Sequence, residues 1–564
     1  MLADARRVPA DSELRADVCI IGGGAAGITL ARALIGTPLQ VVLLESGGLE
    51  FDLRTQSLYK GLTRGVPYFP LSSARLRYFG GSTNHWGRIC RPLDAIDFEA
   101  REWIPFSGWP ITRQDLDPYY VAAGEVVKLN SDDWSAESWD ERDTFSPLPL
   151  GDRTEPRIAQ FVPERLRSFG LNYREEIEQA ANVNAYLHAN ATEIEVDDDA
   201  RTVTNVRVAT LTGNRFRVAA RQFVLAVGGI ENPRLLLASN ARAPRGLGNE
   251  HDLVGCFFIE HPRFAAAVVV PSDAELEVGF YKEHLVDDAE IEGYVALPPE
   301  IQRAERLVDV QVFVQPTYDA SFERAFDSED VDSLRAFARG PGSVDEFGTD
   351  LLNVIEDLTT GLDFTIPGAP LPVPYPDVVE ELVSSPTEVR DHVPDLFGDV
   401  AALGYKGIRG AAPLEYLTLV TRLEPAPNPD SRVTLAASRD ELGIPRTKLD
   451  WRLSPIDRHS AVRTAEILGS AFAAAGLGRV RLLLDEDQRA WPSDLEGGWH
   501  HMGTTRMSND PKQGVVDSDC RVHAISNLYV AGSSVFPTGG TSTPTLTIVA
   551  LALRLAEHLQ RVMR

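Results

Sequence analysis

The stretch DVCIIGGGAAGITLARAL, from Asp17 to Leu34, decides the fold of this 564-residue chain. It runs from an apolar strand through the glycines Gly22, Gly24 and Gly27 into a helix of small residues. In a unit of this kind the first glycine permits a tight turn and the second lets a pyrophosphate approach the backbone. The third glycine lets the helix pack closely on the strand. The stretch therefore predicts a Rossmann unit that binds a dinucleotide.

The residues that follow extend this prediction to the sugar half of the ligand. A second strand, predicted at residues 40–44, delivers Glu45 eighteen positions after Gly27. A carboxylate at this place can accept hydrogen bonds from ribose hydroxyls. The amides of Ala25 and Ala26 open the helix, where backbone N–H groups favour a phosphate. With Ser46, these residues form the predicted ADP-binding set.

Two distant segments indicate which dinucleotide binds. FVLAVGGIENPRLLLASN, at residues 223–240, is again a buried strand followed by glycines and a helix, and LYVAGSS, at residues 528–534, repeats the pattern. A nicotinamide domain has no need of a strand from the far end of the chain. A flavin domain does, because the flavin lies across the carboxyl ends of several parallel strands. We therefore expect FAD, and we expect the two ends of the chain to meet in space.

Four stretches together carry a family resemblance. They are the opening fingerprint, FGGSTNHWGRICRPLD (residues 79–94), AVGGIENPRLLL (226–237), and GWHHMGTTRM (498–507) followed by CRVHAISNLYVAGSSVFPTGG (520–540). On these stretches the chain resembles the glucose-methanol-choline (GMC) family of flavoprotein oxidoreductases over nearly its whole length. The amino-acid sequences of these stretches are more similar to those of bacterial sugar, polyol and glycoside dehydrogenases and of pyranose oxidases than to those of cholesterol or choline oxidases.

The resemblance implies an α/β fold with a discontinuous cofactor domain. Residues 1–262 and 485–564 are expected to form a Rossmann-like FAD-binding domain of the p-hydroxybenzoate-hydroxylase-like type. Residues 263–484 are expected to form an α+β substrate domain on an antiparallel sheet. Within it, residues 431–451 predict two strands around a turn. An acidic, proline-rich insertion near residues 320–400 is either a lid, an oligomer contact or a surface excursion without a catalytic role.

The resemblance also implies the catalytic positions. The family's catalytic histidine falls on His500. It would act as a base, because oxidising an alcohol requires a base for the hydroxyl proton. His501 is then expected to point away from the flavin and to serve packing or a supporting hydrogen bond. The second catalytic position, normally histidine or asparagine, falls on Thr543, which departs from the family. Thr543 is expected to cap the last helix, with Pro544 in its first turn. Thr543 could also donate its proton to a substrate oxygen, but it cannot act as a base near neutral pH, so His500 would do that work alone.

Further residues of the matched stretches are expected to bind the flavin half of the cofactor. His85 stands where some relatives attach the flavin covalently, whereas in others with similar wording the flavin is not covalently bound. The sequence fits either a covalent bond between His85 and the flavin or noncovalent packing of His85 and Trp86 beside the flavin ring. The expected set is Gly81, Ser82, Asn84, His85, Trp86, Gly228, Gly532, Ser533, Thr543 and Thr545.

Composition limits the partners of the protein. With 82 acidic and 55 basic residues, the formal net charge of −27 disfavours nucleic acid and anionic membranes as partners. No apolar run reaches the roughly 18 residues that a membrane span needs. The four scattered cysteines lack the spacing of a metal or redox site and fit a reducing cytoplasm. His500 and His501 are adjacent and diverge, so no metal site is expected.

The sequence thus predicts an FAD-dependent enzyme that oxidises a CH–OH group, most consistent with a sugar, glycoside or polyol. Two alternatives stay open at this stage. One is a lyase of the same fold whose flavin undergoes no redox cycle, and the other is the flavoprotein subunit of an electron-transfer dehydrogenase complex. The acceptor of the electrons, whether oxygen, a quinone or a protein, is not decided by the sequence.

Overall fold

The structure, a computed structural model, describes residues 1–140, 142, 144–318, 414–484 and 490–564. The chain divides into two compact units. One comprises Met1–Val269, Glu277–Gln315 and Thr418–Arg564, and the other comprises Val270–Leu276 and Pro316–Leu417. The insertion expected near residues 320–400 lies outside the described residues.

Strands supply the framework of the fold. In chain order they are β1 (Leu2–Asp4), β2 (Glu13–Ile21), β3 (Val41–Leu44), β4 (Leu62–Gly65), β5 (Ile89–Cys90), β6 (Glu155–Phe161), β7 (Val183–Leu187), β8 (Asn190–Val196), β9 (Val203–Ala209), β10 (Arg215–Leu225), β11 (Pro262–Pro271), β12 (His284–Val286), β13 (Ala289–Ala296), β14 (Val310–Tyr318), β15 (Leu414–Leu423), β16 (Arg432–Arg439), β17 (Pro445–Trp451), β18 (Gly478–Leu482), β19 (Glu496–Gly497) and β20 (Leu528–Val530).

The α-helices of the described residues cover the sheets. They are α1 (Ala25–Ala33), α2 (Leu53–Gln56), α3 (Ala95–Phe98), α4 (Arg113–Val127), α5 (Ala136–Asp140), α6 (Phe169–Gln179), α7 (Gly228–Ala238), α8 (Pro299–Glu305), α9 (Pro455–Ala474) and α10 (Thr545–Val562). None of the helices in the part of the chain that the structure describes is both long and apolar enough to cross a membrane.

The first sheet has the order β1-β7-β3-β2-β10-β9-β8. Strands β1, β7, β3, β2 and β10 run parallel, whereas β9 and β8 are antiparallel additions. The carboxyl end of β10 also pairs in parallel with β20, so Leu225 lies opposite Val530. The predicted return of the chain's far end to the first sheet is therefore confirmed.

The apolar residues of the fingerprint explain why this sheet forms the main core. Val18, Cys19, Ile20 and Ile21 are all buried, as expected for a strand covered on both faces. The last helix packs on the first, and the side-chain amide of Gln560 donates to the carbonyl of Ala33 at 3.2 Å. The two ends of the chain thus close one α/β layer around the cofactor region.

The second sheet has the order β18-β11-β15-β14-β13-β6-β5, with β12 beside β13 and β19 beside β11. The pairs that β13 makes with β14 and β6 are antiparallel, and so is the pair of β11 with β19. A third, smaller sheet joins β16, β17 and β4. Its β16 and β17 are antiparallel around Gly443, whose φ is +82°, which confirms the two strands predicted at residues 431–451.

Candidate active site

The glycines of the fingerprint meet two different requirements. Gly22 has a φ of +109°, and a Cβ there would lie 2.5 Å from the carbonyl oxygen of Ala226. A Cβ at Gly27 would lie 1.8 Å from the carbonyl oxygen of Gly22. A Cβ at Gly24, by contrast, would meet no described atom within 4 Å. Packing within the protein explains why Gly22 and Gly27 have no side chain. Gly24, by contrast, leaves an open space beside the backbone that a ligand can fill.

Glu45 is buried at the end of β3 and joins the turns on either side of it. Its Oε2 accepts from the amide of Gly23 at 2.9 Å and its Oε1 from the amide of Gly47 at 2.7 Å. The hydroxyl of Ser46 also reaches Oε1, at 3.2 Å. A carboxylate offers about four acceptor positions, so Glu45 retains capacity for a ribose hydroxyl.

A single cavity of about 640 Å³ joins the fingerprint to the C-terminal block. Two of the predicted residues are not among those lining it. Gly27 packs beneath the turn, and the amide group of Asn84 donates to the carbonyls of Phe79 and Gly81 at 3.1 and 3.0 Å. The predicted residues that do line it are Gly22, Gly24, Ala25, Ala26, Glu45, Ser46, Gly81, Ser82, His85, Trp86, Gly228, His500, Gly532, Ser533, Thr543 and Thr545.

The shape and chemistry of this cavity fit FAD. Gly24 leaves room at the start of α1, where backbone amides and the helix dipole favour a pyrophosphate. Glu45 stands where a ribose would follow, and the same cavity continues to His500. The residues present would therefore hold the ADP half at the fingerprint and direct the flavin toward the histidine end.

His500 lies on a loop that Glu260 holds in place. The amide of His500 donates to both carboxylate oxygens of Glu260, at 2.9 and 3.1 Å. The preceding residue, Trp499, has a φ of +61°, a left-handed conformation that non-glycine residues adopt at a cost. The imidazole Nδ1 lies 2.9 Å from Nδ1 of His261. Its Nε2 has no hydrogen-bond partner among the described residues and stays available to a ligand of the cavity.

The contact between the two Nδ1 atoms fixes opposite tautomers. A neutral imidazole carries a single N–H, so one ring donates and the other accepts. When His500 donates from Nδ1 to His261, its Nε2 keeps a lone pair and can take up a proton. In the reverse arrangement the Nε2 of His500 carries the hydrogen and cannot act as a base. Only the first arrangement suits proton abstraction from a substrate.

Burial keeps the histidines of this region neutral. Desolvation, reinforced by the charge effects of His261 and Arg422, lowers the pKa of His500 well below its ordinary value. Burial likewise lowers the pKa of His261 and that of His501 to about 3. An unprotonated imidazole is the form that a general base requires.

His501 has a different set of partners from its neighbour. Its Nε2 lies 2.8 Å from the hydroxyl of Tyr68, which in turn donates its proton to Glu260. His501 therefore donates from Nε2, and the Ser533 hydroxyl donates to its carbonyl at 2.7 Å. This is the supporting hydrogen-bond role expected from the sequence, and the residue also lines the cavity. Its orientation away from the flavin stays a prediction.

Glu260 is a residue that sequence reasoning missed. It is fully buried and accepts from the amides of Gly498, His261 and His500 as well as from Tyr68. Burial raises its pKa to about 7, against these hydrogen bonds, which lower it. The sequence pattern that could have revealed Glu260 is FFIEH, in which an acid directly follows an apolar run and directly precedes a histidine.

The expected cap at Thr543 is wrong in its detail. Helix α10 begins at Thr545, its N-cap position is Pro544, and no side chain caps it. The hydroxyl of Thr543 instead donates to the carbonyl of Ile89. That backbone acceptor competes successfully with the helix end, and it engages the only proton that the hydroxyl could offer a substrate.

His85 and Trp86 both line the cavity, but they are held differently. The His85 ring stacks on Trp499, with centroids 5.1 Å apart and planes 20° apart. Burial lowers the pKa of His85 to about 4, which leaves its ring neutral. The indole N–H of Trp86 donates to the carbonyl of Arg167 at 2.9 Å.

Comparison with known proteins gives a consistent set of relatives. A family model described as GMC oxidoreductase matches residues 427–552, and one described as FAD dependent oxidoreductase matches residues 17–339, more than half of the chain. A 2-methyl-1,2-propanediol dehydrogenase of Mycolicibacterium austroafricanum is 24% identical, over 97% of this chain and 95% of that protein. A fructose dehydrogenase large subunit of Gluconobacter japonicus is 23% identical, over 97% and 98%.

The fold has a counterpart among solved structures. A formate oxidase crystal structure matches 98% of this chain and 99% of its own, with a TM-score of 0.51 and 17% identity. This likeness concerns the fold alone. The names of these relatives are those of oxidoreductases, and the comparisons give no support to the lyase alternative.

Proposed function

We propose that this chain, which belongs to the GMC oxidoreductase family and has FAD as its cofactor, oxidises a CH–OH group on a sugar, glycoside or polyol. When bound, the flavin supplies the acceptor for the hydride that leaves the carbinol carbon. Two relatives similar over nearly the whole chain carry the names of a diol dehydrogenase and a fructose dehydrogenase, which supports this substrate class.

The observation that carries the proposal is the histidine pair at the end of the cavity. The Nε2 of His500 has no partner in the part of the chain that the structure describes, and its Nδ1 contacts Nδ1 of His261 at 2.9 Å. We assign His500 as the base that takes the hydroxyl proton at Nε2, and His261 as the acceptor that keeps it in the required tautomer. Glu260 positions both residues by holding their backbone amides. Thr543 contributes to the wall and not to the proton transfer.

A second arrangement of electron transfer has one specific observation in its favour. A relative similar over 97% of this chain is named as the large subunit of a dehydrogenase. The chain could accordingly pass its electrons to a partner subunit, a choice that reoxidation of the reduced enzyme by air, a quinone or a protein would settle.

We propose that residues 263–484 recognise the substrate and that residues 1–262 and 485–564 bind FAD. We also propose a cytoplasmic location, because Cys19, Cys90, Cys256 and Cys520 are buried free thiols.

The test is anaerobic mixing of the FAD-bound enzyme with a panel of sugars, glycosides and polyols, followed by flavin absorbance. At least one compound is expected to bleach the flavin. The His500→Ala variant should then lose roughly 10²- to 10⁴-fold in the rate constant of flavin reduction while FAD stays bound, because the general base is gone. His251→Ala, which alters an exposed histidine, is the matched control.

Two outcomes would overturn the assignment. Fast flavin reduction in His500→Ala would remove His500 as the base. Failure of every alcohol in the panel to bleach the wild-type flavin would remove alcohol oxidation itself.

A further inference from the structure

Two arginines of the second sheet stand beside the histidine pair. Strands β11 and β15 are neighbours, and Arg263 on β11 and Arg422 on β15 line the same cavity as His261 and His500. The charge of Arg422 lowers the pKa of both histidines. The Arg422 guanidinium is therefore within electrostatic reach of the proposed base, and Arg263 lines the same cavity.

Both guanidinium groups pack against one aromatic ring. The Cζ of Arg422 lies 4.9 Å and that of Arg263 lies 5.8 Å from the ring centroid of Phe313, on the adjacent strand β14. Arg422 donates one hydrogen bond, to Gln311 at 3.1 Å, and Arg263 donates none to a described residue. Because each guanidinium has five N–H groups, most of their hydrogen-bonding capacity is unused. The ring fixes the two groups in position while leaving those donors free.

Neither arginine has a carboxylate within ion-pair distance among the described residues. Burial, together with the nearby charge of Arg263, lowers the pKa of Arg422 to about 10. Glu496 lies opposite Arg263 on β19 and lines the cavity, where it is exposed. The buried acids that face the pair are Glu292, on β13, and Glu260. Burial raises the pKa of each to about 7, and Glu260 is already fully engaged by its own hydrogen bonds. Both guanidinium groups therefore line the cavity without an ion pair among the described residues.

Other buried arginines show how unusual this arrangement is. Arg75, Arg101, Arg157 and Arg234 each pair with a carboxylate, as buried charges normally do. Arg506 also lacks an ion pair among the described residues, but it donates to the carbonyl of Phe106 and is not among the residues lining the cavity. Arg263 and Arg422 thus combine a missing counter-ion with access to the proposed site.

We propose that the alcohol substrate carries an anionic group, a carboxylate or a phosphate, which Arg263 and Arg422 bind while His500 takes the hydroxyl proton. Planar guanidinium groups match the paired oxygens of both anions, and charge-assisted hydrogen bonds are the stronger kind. This inference rests on the proposed alcohol oxidation, and it narrows the substrate class from neutral sugars and polyols to their acids and phosphate esters.

The first experiment compares matched neutral and anionic alcohols on the FAD-bound enzyme. Glycerol is set against glycerate and glycerol 3-phosphate, and glucose against glucuronate and glucose 6-phosphate. An anionic member is expected to exceed its neutral partner at least 10-fold in the rate constant of flavin reduction divided by the apparent Kd. Preference for the acids would identify a carboxylate, and preference for the esters a phosphate.

The second experiment removes each guanidinium in turn. Arg422→Gln and Arg263→Gln are each expected to lower the ratio of anionic to neutral efficiency at least 10-fold. Arg506→Gln removes a buried arginine that is outside the cavity wall and should leave the ratio within about twofold. Neutral alcohols that match or exceed their anionic partners, with a ratio insensitive to both substitutions, would overturn the inference while leaving alcohol oxidation intact.

A binding measurement separates this inference from the proposed function. Calorimetry on FAD-bound His500→Ala, with glucuronate, glucose 6-phosphate and glucose as probes, reports affinity without turnover. Tighter binding of an anion, lost on adding Arg422→Gln, supports the arginine site even if no compound bleaches the wild-type flavin. Equal or undetectable binding of all three probes, with flavin bleaching by neutral alcohols, would count against the anion site alone.

Discussion

Arg422 and Glu424 stand two residues apart at the end of β15, yet their charges have different surroundings. Glu424 forms two hydrogen bonds with Arg101, at 2.8 and 2.7 Å, and both side chains are 1% exposed. Arg422 has no ion-pair partner among the described residues and lines the cavity with Arg263. The difference separates buried charge that holds the fold together from buried charge that is available to a ligand.

The buried cluster of Arg101, Glu424 and Asp309 supports the loop that leads into the last helix. The amide of Gly540 donates to Glu424 at 3.3 Å, and the hydroxyl of Thr541 donates to Asp309 at 2.7 Å. The amide of Asp309 also donates to Glu424, at 3.2 Å. Because this loop precedes the cavity-lining start of α10, the cluster positions part of the cofactor site without contacting it.

Arg101→Met tests the structural side of the comparison and should have the largest effect on stability. It leaves the carboxylate of Glu424 buried without its partner, and loss of one member of a buried ion pair costs about 3–5 kcal/mol. The free energy of unfolding of the FAD-bound protein, measured in urea, should fall by that amount. Arg439→Met, at an exposed arginine, is the control. A loss below about 1 kcal/mol would show that the cluster is not structural.

The residues predicted to bind the ADP half lie together in the structure because their sequence signals are local. The glycines Gly22, Gly24 and Gly27 and the acid Glu45 lie within one strand–helix–strand unit, where spacing alone constrains geometry. The return of β20 to the sheet was also predicted, from the repeated pattern of strand and glycine.

The proposed substrate half was not predictable in the same way. His261 and His500 are 239 residues apart in sequence, and Arg263 meets Arg422 only because β11 and β15 are neighbours in the second sheet. Strand order in such a sheet depends on tertiary packing rather than on local pattern. The error at Thr543 has the same origin, because its hydroxyl donates to the carbonyl of Ile89, far away in sequence.

His261→Ala tests whether the histidine pair is a proton-transfer device or only packing. Loss of the acceptor at Nδ1 of His500 should lower the rate constant of flavin reduction on the order of 10- to 100-fold, less than loss of the base itself. Neutral His261 accepts the Nδ1 hydrogen of His500 and so stabilises the protonated form of His500. Its loss should lower the pKa of His500 further and move the acid limb of the pH–rate profile to lower pH. Stopped-flow reduction across pH measures both effects.

The conservative variant distinguishes positioning from structure at His261. Asparagine places its Oδ1 near the position of the histidine Nδ1 and can accept from His500. His261→Asn should therefore recover most of the rate and return the pH profile toward that of the wild type. Equal losses in both variants, with an unshifted profile, would mean that His261 serves packing only.

Arg422→Met completes the comparison with the smallest expected effect on stability. Met keeps much of the apolar contact with Phe313, and the substitution removes a charge that Arg263 opposes. The substitution also removes the hydrogen bond to Gln311, which contributes a net stability of about 1 kcal/mol. Urea unfolding in the same FAD-saturated buffer as Arg101→Met should thus give a change within about 1 kcal/mol of the wild type. A decrease in the free energy of unfolding as large as that of Arg101→Met would mean that the Arg422 charge is already compensated inside the protein. Arg422 and Arg101 would then have the same structural role.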